Sequence, residues 1–102
     1  MVKKSKLVLV WDKPAYASLQ QAYDYIRKDS VSNADKVRKQ ILAMADNLPD
    51  HPQKHPPDKF KRNNKGNYRA FEKHAYRIAY RITEKEIIIL RVRHVKLEPK
   101  KY

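Results

Sequence analysis

Residues 68–95, YRAFEKHAYRIAYRITEKEIIILRVRHV, constrain the fold more than any other part of the chain. β-Branched and aromatic residues dominate, and short polar breaks cut the run into three. The breaks predict successive antiparallel strands over Tyr68–Glu72, Ala75–Ile82 and Glu86–Val95. In the middle strand Tyr76, Ile78, Tyr80 and Ile82 alternate with Arg77, Ala79 and Arg81, the period of a half-buried strand. Joining Ile82 to Glu86 across Thr83, Glu84 and Lys85 sets Tyr80 opposite Ile88, Ile78 opposite Leu90 and Tyr76 opposite Val92. A one-residue slip would set Ile78 opposite Arg91 and reverse the faces of one strand, so the first register is expected. On the other face it sets Arg77 opposite Arg91, with Arg81 and Arg93 nearby and Arg69 joining from the first strand. Facing like charges destabilise a sheet. Two readings follow: a solvated face with Glu72 and Glu86 as counterions, or an anion site completed by a phosphate or carboxylate. The guanidinium fork binds either anion bidentately.

Upstream, Lys6–Trp11 (KLVLVW) reads as a short, buried first strand. Asp12 stands as an N-cap before Pro14, and Ala15, Leu19, Ala22, Tyr23 and Ile26 recur at helical spacing, predicting a helix over Lys13–Lys28. A second helix is expected from an N-cap at Ser32, with Asp35 three residues on and a core stripe of Ala34, Val37, Ile41, Met44, Ala45 and Leu48. Two helices so closely joined pack as an antiparallel hairpin. The order β-α-α-loop-β-β-β therefore predicts a single α+β domain over residues 1–102: a helical hairpin on one face of a mainly antiparallel, twisted sheet of about four strands. Residues 49–67, PDHPQKHPPDKFKRNNKGN, hold four of the six prolines and the only glycine. A long irregular segment like this is functional or disordered. It places Lys54, Lys59, Lys61, Arg62 and Lys65 around Phe60, and its prolines keep His51 and His55 from forming a helical metal pair.

Charge separates the halves. Residues 54–102 carry fifteen Lys and Arg against five Asp and Glu; residues 1–53 carry nine against six. Such asymmetry, within a net charge of +13, points to nucleic acid, a ribosome or an acidic protein partner. Cysteine is absent, which excludes disulfides and thiolate chemistry. No apolar run is long enough to span a membrane, and the basic N-terminus lacks the apolar region of a signal peptide. A cytoplasmic protein without metal, small-molecule cofactor or membrane partner is expected.

The helical hairpin ending LPDHP, followed by KFKRNNKGNYRAFE, YRIAYRI and IIILRVRHVKLEP, resembles the RelE/ParE superfamily of bacterial type II toxin–antitoxin toxins over nearly the whole chain. The resemblance implies an acidic antitoxin partner and one of two activities. RelE-like members cleave mRNA in the ribosomal decoding site; ParE-like members inhibit DNA gyrase. In the nuclease branch Arg77 corresponds to the arginine on the scissile phosphate. His94 falls where many members place an acid/base residue, Tyr102 corresponds to a C-terminal tyrosine, and Lys59 and Lys61 lie in a segment of functional lysines. Arg62, Arg69, Arg81, Arg91 and Arg93 complete the candidate nucleic-acid-binding set.

Metal-independent cleavage needs stabilisation of developing phosphorane charge, which Arg77 can supply, and a proton-transfer group such as His94. As an outward strand arginine, Arg77 is expected to contribute little to the core. The bland reading of His94 is a strand-end histidine bonded to backbone. Strong positive charge together with Arg77 and His94 favours the ribosome-dependent endonuclease. Gyrase inhibition is the alternative, and a non-catalytic RNA-binding or ribosome-associated protein is a third reading.

Overall fold

The computed structural model describes residues 7–97 and 101–102. Along the chain they form β1 (Val8–Trp11), α1 (Lys13–Arg27), α2 (Val31–Asp46), β2 (Tyr68–Lys73), β3 (Tyr76–Ile82), β4 (Glu86–His94) and a 3-10 turn at Val95–Leu97. The helical hairpin covers one face of a four-stranded sheet ordered β1-β4-β3-β2. β2, β3 and β4 are antiparallel neighbours, while β1 runs parallel to β4, so the sheet is mixed. β1 is an edge strand rather than a buried one: Val8 is 60% exposed and Leu9, Val10 and Trp11 are half-buried. Lys6, expected to open it, lies outside the described residues.

Each helix forms for a local reason and is held by its stripe. Pro14 sits in the first turn of α1, where its missing N–H costs nothing. Asp12 is the N-cap residue, although its side chain makes no capping bond. The second N-cap is Ser30 rather than Ser32. Ser30 is extended, so its Oγ reaches the Asn33 N–H at 3.1 Å. Asp35 is thereby displaced from a capping role, and its carboxylate accepts from the Tyr23 hydroxyl at 2.8 Å, tying α2 to α1. Ala15, Leu19 and Ala22 from α1 and Ala34, Val37, Ile41 and Ala45 from α2 are buried. With Leu48 they close over Phe71, Tyr76, Ile78, Tyr80, Ile87, Ile89 and Val92 of the sheet. Each fully buried Ile or Leu here contributes roughly 1.5–3 kcal/mol.

The β3–β4 register departs from the expected one. Ile82 pairs with Ile87 and Tyr80 with Ile89, then Ala79 pairs with Arg91 and Ile78 with Val92. Leu90 is the extra residue of a β-bulge. The apolar pattern explains it: Ile87 and Ile89 are spaced by two but Val92 follows by three, so only a bulge brings all three to the core. Ile87 and Ile89, not Ile88 and Leu90, therefore face the helices. Beyond the bulge the displacement is two residues, which restores the expected parity. Arg91 and Arg93 face away from the helices, and Arg93 rather than Arg91 stands opposite Arg77.

β2 and β3 are joined by the two residues His74 and Ala75, both left-handed at φ 51° and 66°. This is the backbone of a type I′ hairpin turn, normally built from Asn-Gly. A Cβ at such φ costs roughly 1–2 kcal/mol. Ala75→Gly should therefore raise stability by about 0.5–1 kcal/mol after the entropy of the more flexible unfolded chain is subtracted. A rise of several degrees in thermal melting is expected; a fall would show that the alanine methyl packs usefully.

Candidate functional site

The sheet face away from the helices is organised by a residue that the sequence did not single out, Asp58. Its side chain is inaccessible to solvent. One oxygen accepts from Arg77 Nη2 at 2.7 Å and from the Phe60 N–H at 3.0 Å. The other accepts from the Tyr102 hydroxyl at 2.6 Å. Burial by itself would raise the carboxyl pKa, but the bonds from Tyr102, Arg77 and Phe60, together with the Arg77 charge, bring it below the usual value. Burial, reinforced by the Asp58 hydrogen bond and charge, pushes the Tyr102 phenol up, so it remains a proton donor at neutral pH.

The segment after Pro57 is folded onto this face, not disordered. Pro57 makes an isolated antiparallel bridge to Arg69, and Asp58 N donates to Tyr68 O at 2.8 Å. Asn64 fixes the remainder. Its Nδ2 donates to the Asp58 and Tyr68 carbonyls, and its Oδ1 accepts from the Gly66 and Tyr68 N–H groups. Gly66, at φ 101°, supplies a conformation that side chains disfavour. Tyr102 pairs with this loop through its backbone, donating to Phe60 O at 2.9 Å and accepting from Arg62 N at 2.6 Å. The small Ala70 and Ala79 are buried on this face.

Cations and rings alternate across the surface. Arg77 lies over Phe60 at 4.8 Å, Arg91 over Tyr102 at 4.4 Å, and Arg81 over Tyr68 at 5.6 Å. Lys61 stands near both Tyr68 and Tyr102, and Lys59 over Phe60. These contacts order long side chains and hold several positive charges together.

Arg77 is not the outward residue expected. It is 9% exposed, bonded to Asp58 and, at 3.1 Å, to Glu72. Its Nε has no acceptor among the described residues. The face thus brings together Arg77, Tyr102, Lys59, Lys61, Arg62, Arg81, Arg91 and Arg93. Two candidates lie elsewhere. Arg69 pairs with Tyr80, which turns it to the helix-bearing face. There its guanidinium donates to the carbonyls of Gly66 at 2.9 Å and His55 at 2.7 Å, pinning the loop. His94 pairs with Tyr76 on that same face, its ring edge-on at 5.2 Å, and its Nδ1 accepts from the Lys96 N–H at 3.1 Å.

His55 is a packing residue, its ring against Phe71 at 4.8 Å and its pKa lowered first by burial and then by Lys54. Tyr80 completes that corner by donating to Pro52 O at 2.9 Å, and burial pushes its phenol up to about 12. The only sequence signal for Asp58 was its position as the one carboxylate among residues 51–71, two residues before Phe60 in a basic stretch.

A sequence model of the ParE toxin of type II toxin–antitoxin systems matches residues 9–97. The chain belongs to the ParE toxin family. Among curated proteins none matches it. Solved structures share the fold of this ParE-family chain. The chromosomal ParDE toxin–antitoxin system from P. aeruginosa aligns with TM-score 0.68 and 23% identity, over 87% of this chain and 96% of that one. A RelBE toxin–antitoxin complex from Mycobacterium tuberculosis aligns with TM-score 0.60 and 18% identity, over 88% and 99%. A mutant of the E. coli toxin RelE in its free state aligns with TM-score 0.62 and 13% identity, over 92% and 88%. The family match runs from β1 to the 3-10 turn, so Tyr102, which closes the Asp58 cluster, lies beyond it.

Proposed function

We propose that this ParE-family toxin, neutralised by an acidic antitoxin, acts on DNA gyrase as a binding inhibitor and does not cleave mRNA. One observation carries the choice between the branches: Arg77 and His94 project from opposite faces of the sheet. Phosphoryl chemistry needs the charge-stabilising and proton-transfer groups within reach of one phosphate. Arg77 is, moreover, already bonded to Asp58 and Glu72. A binding inhibitor needs only a shaped, ordered surface, and the cation–aromatic array supplies one whose charge accelerates encounter with an anionic target.

Ribosome-dependent cleavage keeps one observation on its side, the meeting of Arg77 and Tyr102 at Asp58 beside Lys61 and Arg91. The two readings separate in paired assays on one preparation: gyrase supercoiling, and mapping of mRNA 5′ ends on programmed ribosomes. Inhibition of supercoiling at near-stoichiometric protein, no new 5′ ends, and retention of inhibition by His94→Gln are expected. New ribosome-dependent 5′ ends with supercoiling untouched would reverse the assignment.

A further inference from the structure

The strands β1 and β4 are more apolar than the cover the fold gives them. VLVW in β1 and IIIL at residues 87–90 in β4 are unbroken apolar runs, the pattern of strands buried on both faces. The helical hairpin covers one face. Among the described residues, Leu9 and Trp11 of β1 and Ile87 and Ile89 of β4 pack into the core, whereas Val8, Val10, Ile88 and Leu90 do not. Edge strands ordinarily carry charge towards solvent, and β1 carries none. On the face away from the helices Val10 pairs with Ile88, Ile88 with Arg81, and Arg81 with Tyr68. One row across the sheet therefore passes from two aliphatic side chains to an exposed arginine that lies over a ring. Arg91, next to Leu90, adds a second cation over the Tyr102 ring. The strand carboxylates on this face are Glu86, opposite Val8, and Glu72, bonded to Arg77.

We propose that this face, with Val10 and Ile88 as anchors and Arg81 and Arg91 beside them, docks an aliphatic protein surface of gyrase bordered by carboxylates. The proposal rests on the gyrase reading above and adds the face and the chemistry of the contact. It extends the cation–aromatic array without a break, because Arg81 belongs to both. An apolar centre inside a polar, arginine-bearing rim is the usual anatomy of a protein–protein contact, and the arginines select an acidic border. Nucleic acid matches the face less well: phosphates would pair with the cations and leave the aliphatic half unmatched. A second copy of this chain carries the same net charge of +13, which opposes self-association.

The test is binding of the purified chain to DNA-free gyrase, with inhibition of supercoiling measured alongside. Val10→Glu and Ile88→Glu should each weaken binding roughly thirtyfold or more, because a carboxylate would be buried against an apolar surface with an acidic border. Inhibition should fall in step. Val31→Glu is the control: Val31 is 54% exposed and opens α2, on the other side of the sheet. It should behave like the wild type. The double variant Val10→Thr, Ile88→Thr keeps β-branched side chains in both strands and should still bind about tenfold more weakly, which serves if a glutamate disturbs folding. Thermal melting of every variant identifies the folded ones. Unchanged affinity and inhibition in folded face variants would overturn the proposal. So would binding that requires DNA and is abolished by nuclease, which assigns the face to nucleic acid, or a dimer of the chain alone that Ile88→Glu dissociates. A wild type that neither binds gyrase nor inhibits it removes the gyrase reading itself, and the proposal with it.

Discussion

Asp58→Ala should lower the melting temperature by more than ten degrees, and the reason is the arginine it leaves behind. Arg77 is nine-tenths buried, and its short bond is to Asp58. The second partner, Glu72, has a side chain 55% exposed, and an exposed pair of that kind contributes little. Removing one member of a buried ion pair costs about 3–5 kcal/mol, because a desolvated charge is left without compensation. In a domain of this size each kcal/mol moves the midpoint by roughly 4–8 °C. The Tyr102 hydroxyl and the Phe60 N–H also lose their acceptor.

The effect carries a pH signature. The Asp58 pKa is lower in the folded chain, so its contribution is present above the pKa of the unfolded carboxyl and is lost as pH falls through the folded value. The wild type should therefore weaken towards acid through a step that Asp58→Ala lacks. Urea denaturation of both proteins across that range measures the difference. Equal stability within about 1 kcal/mol at neutral pH would show that Arg77 finds another partner.

Arg77→Ala should be as damaging, and this changes what its loss of toxicity means. The substitution strands a carboxylate inside the fold, so a cost of about 3–5 kcal/mol is again expected. An inactive Arg77→Ala protein therefore reports misfolding as readily as a missing contact to the target. A double replacement separates the two. Arg77→Met with Asp58→Leu exchanges the pair for apolar groups, a change that is often neutral or favourable in buried sites. The double variant should be more stable than either single truncation, with a substantial coupling energy in the cycle. If it is folded and still inhibits supercoiling, the Arg77 guanidinium is structural. If it is folded and inactive, the guanidinium or the surface it organises contacts the target. A double variant no more stable than Arg77→Ala would refute the idea that the pair's cost lies in isolated charge.

Much of this protein was written in local pattern. The alternation through Tyr76–Ile82, the apolar stripes of α1 and α2 and the breaks between strands depend on periods of two and 3.6 residues. They were enough to predict a helical hairpin on a four-stranded sheet, and the order of the motifs was enough to indicate the superfamily. What lay beyond neighbouring residues was decided in space. The bulge at Leu90 follows from requiring Ile87, Ile89 and Val92 to share one core, a condition that pairwise register counting does not contain. The left-handed pair His74 and Ala75 carries no Gly or Asn to announce it; the strands it joins hold it there.

Most consequential is the ion pair. Asp58 and Arg77 are nineteen residues apart, and Tyr102 lies forty-four from Asp58. Only folding of the proline-rich loop and the C-terminal residue onto the sheet makes them one cluster. Charge was legible from composition, but whether an arginine awaits an anion or has already been given one depends on which carboxylate the fold delivers to it. Strand parity had Arg77 and His94 on opposite faces already, and the bulge, by shifting the end of β4 two residues, kept them there. The sequence alone therefore determined the kind of fold and the sign of its surface, whereas tertiary structure decided which charges are shared, which are free to meet a partner, and which candidate residues can act together, because those depend on distances across the sheet and not along the chain.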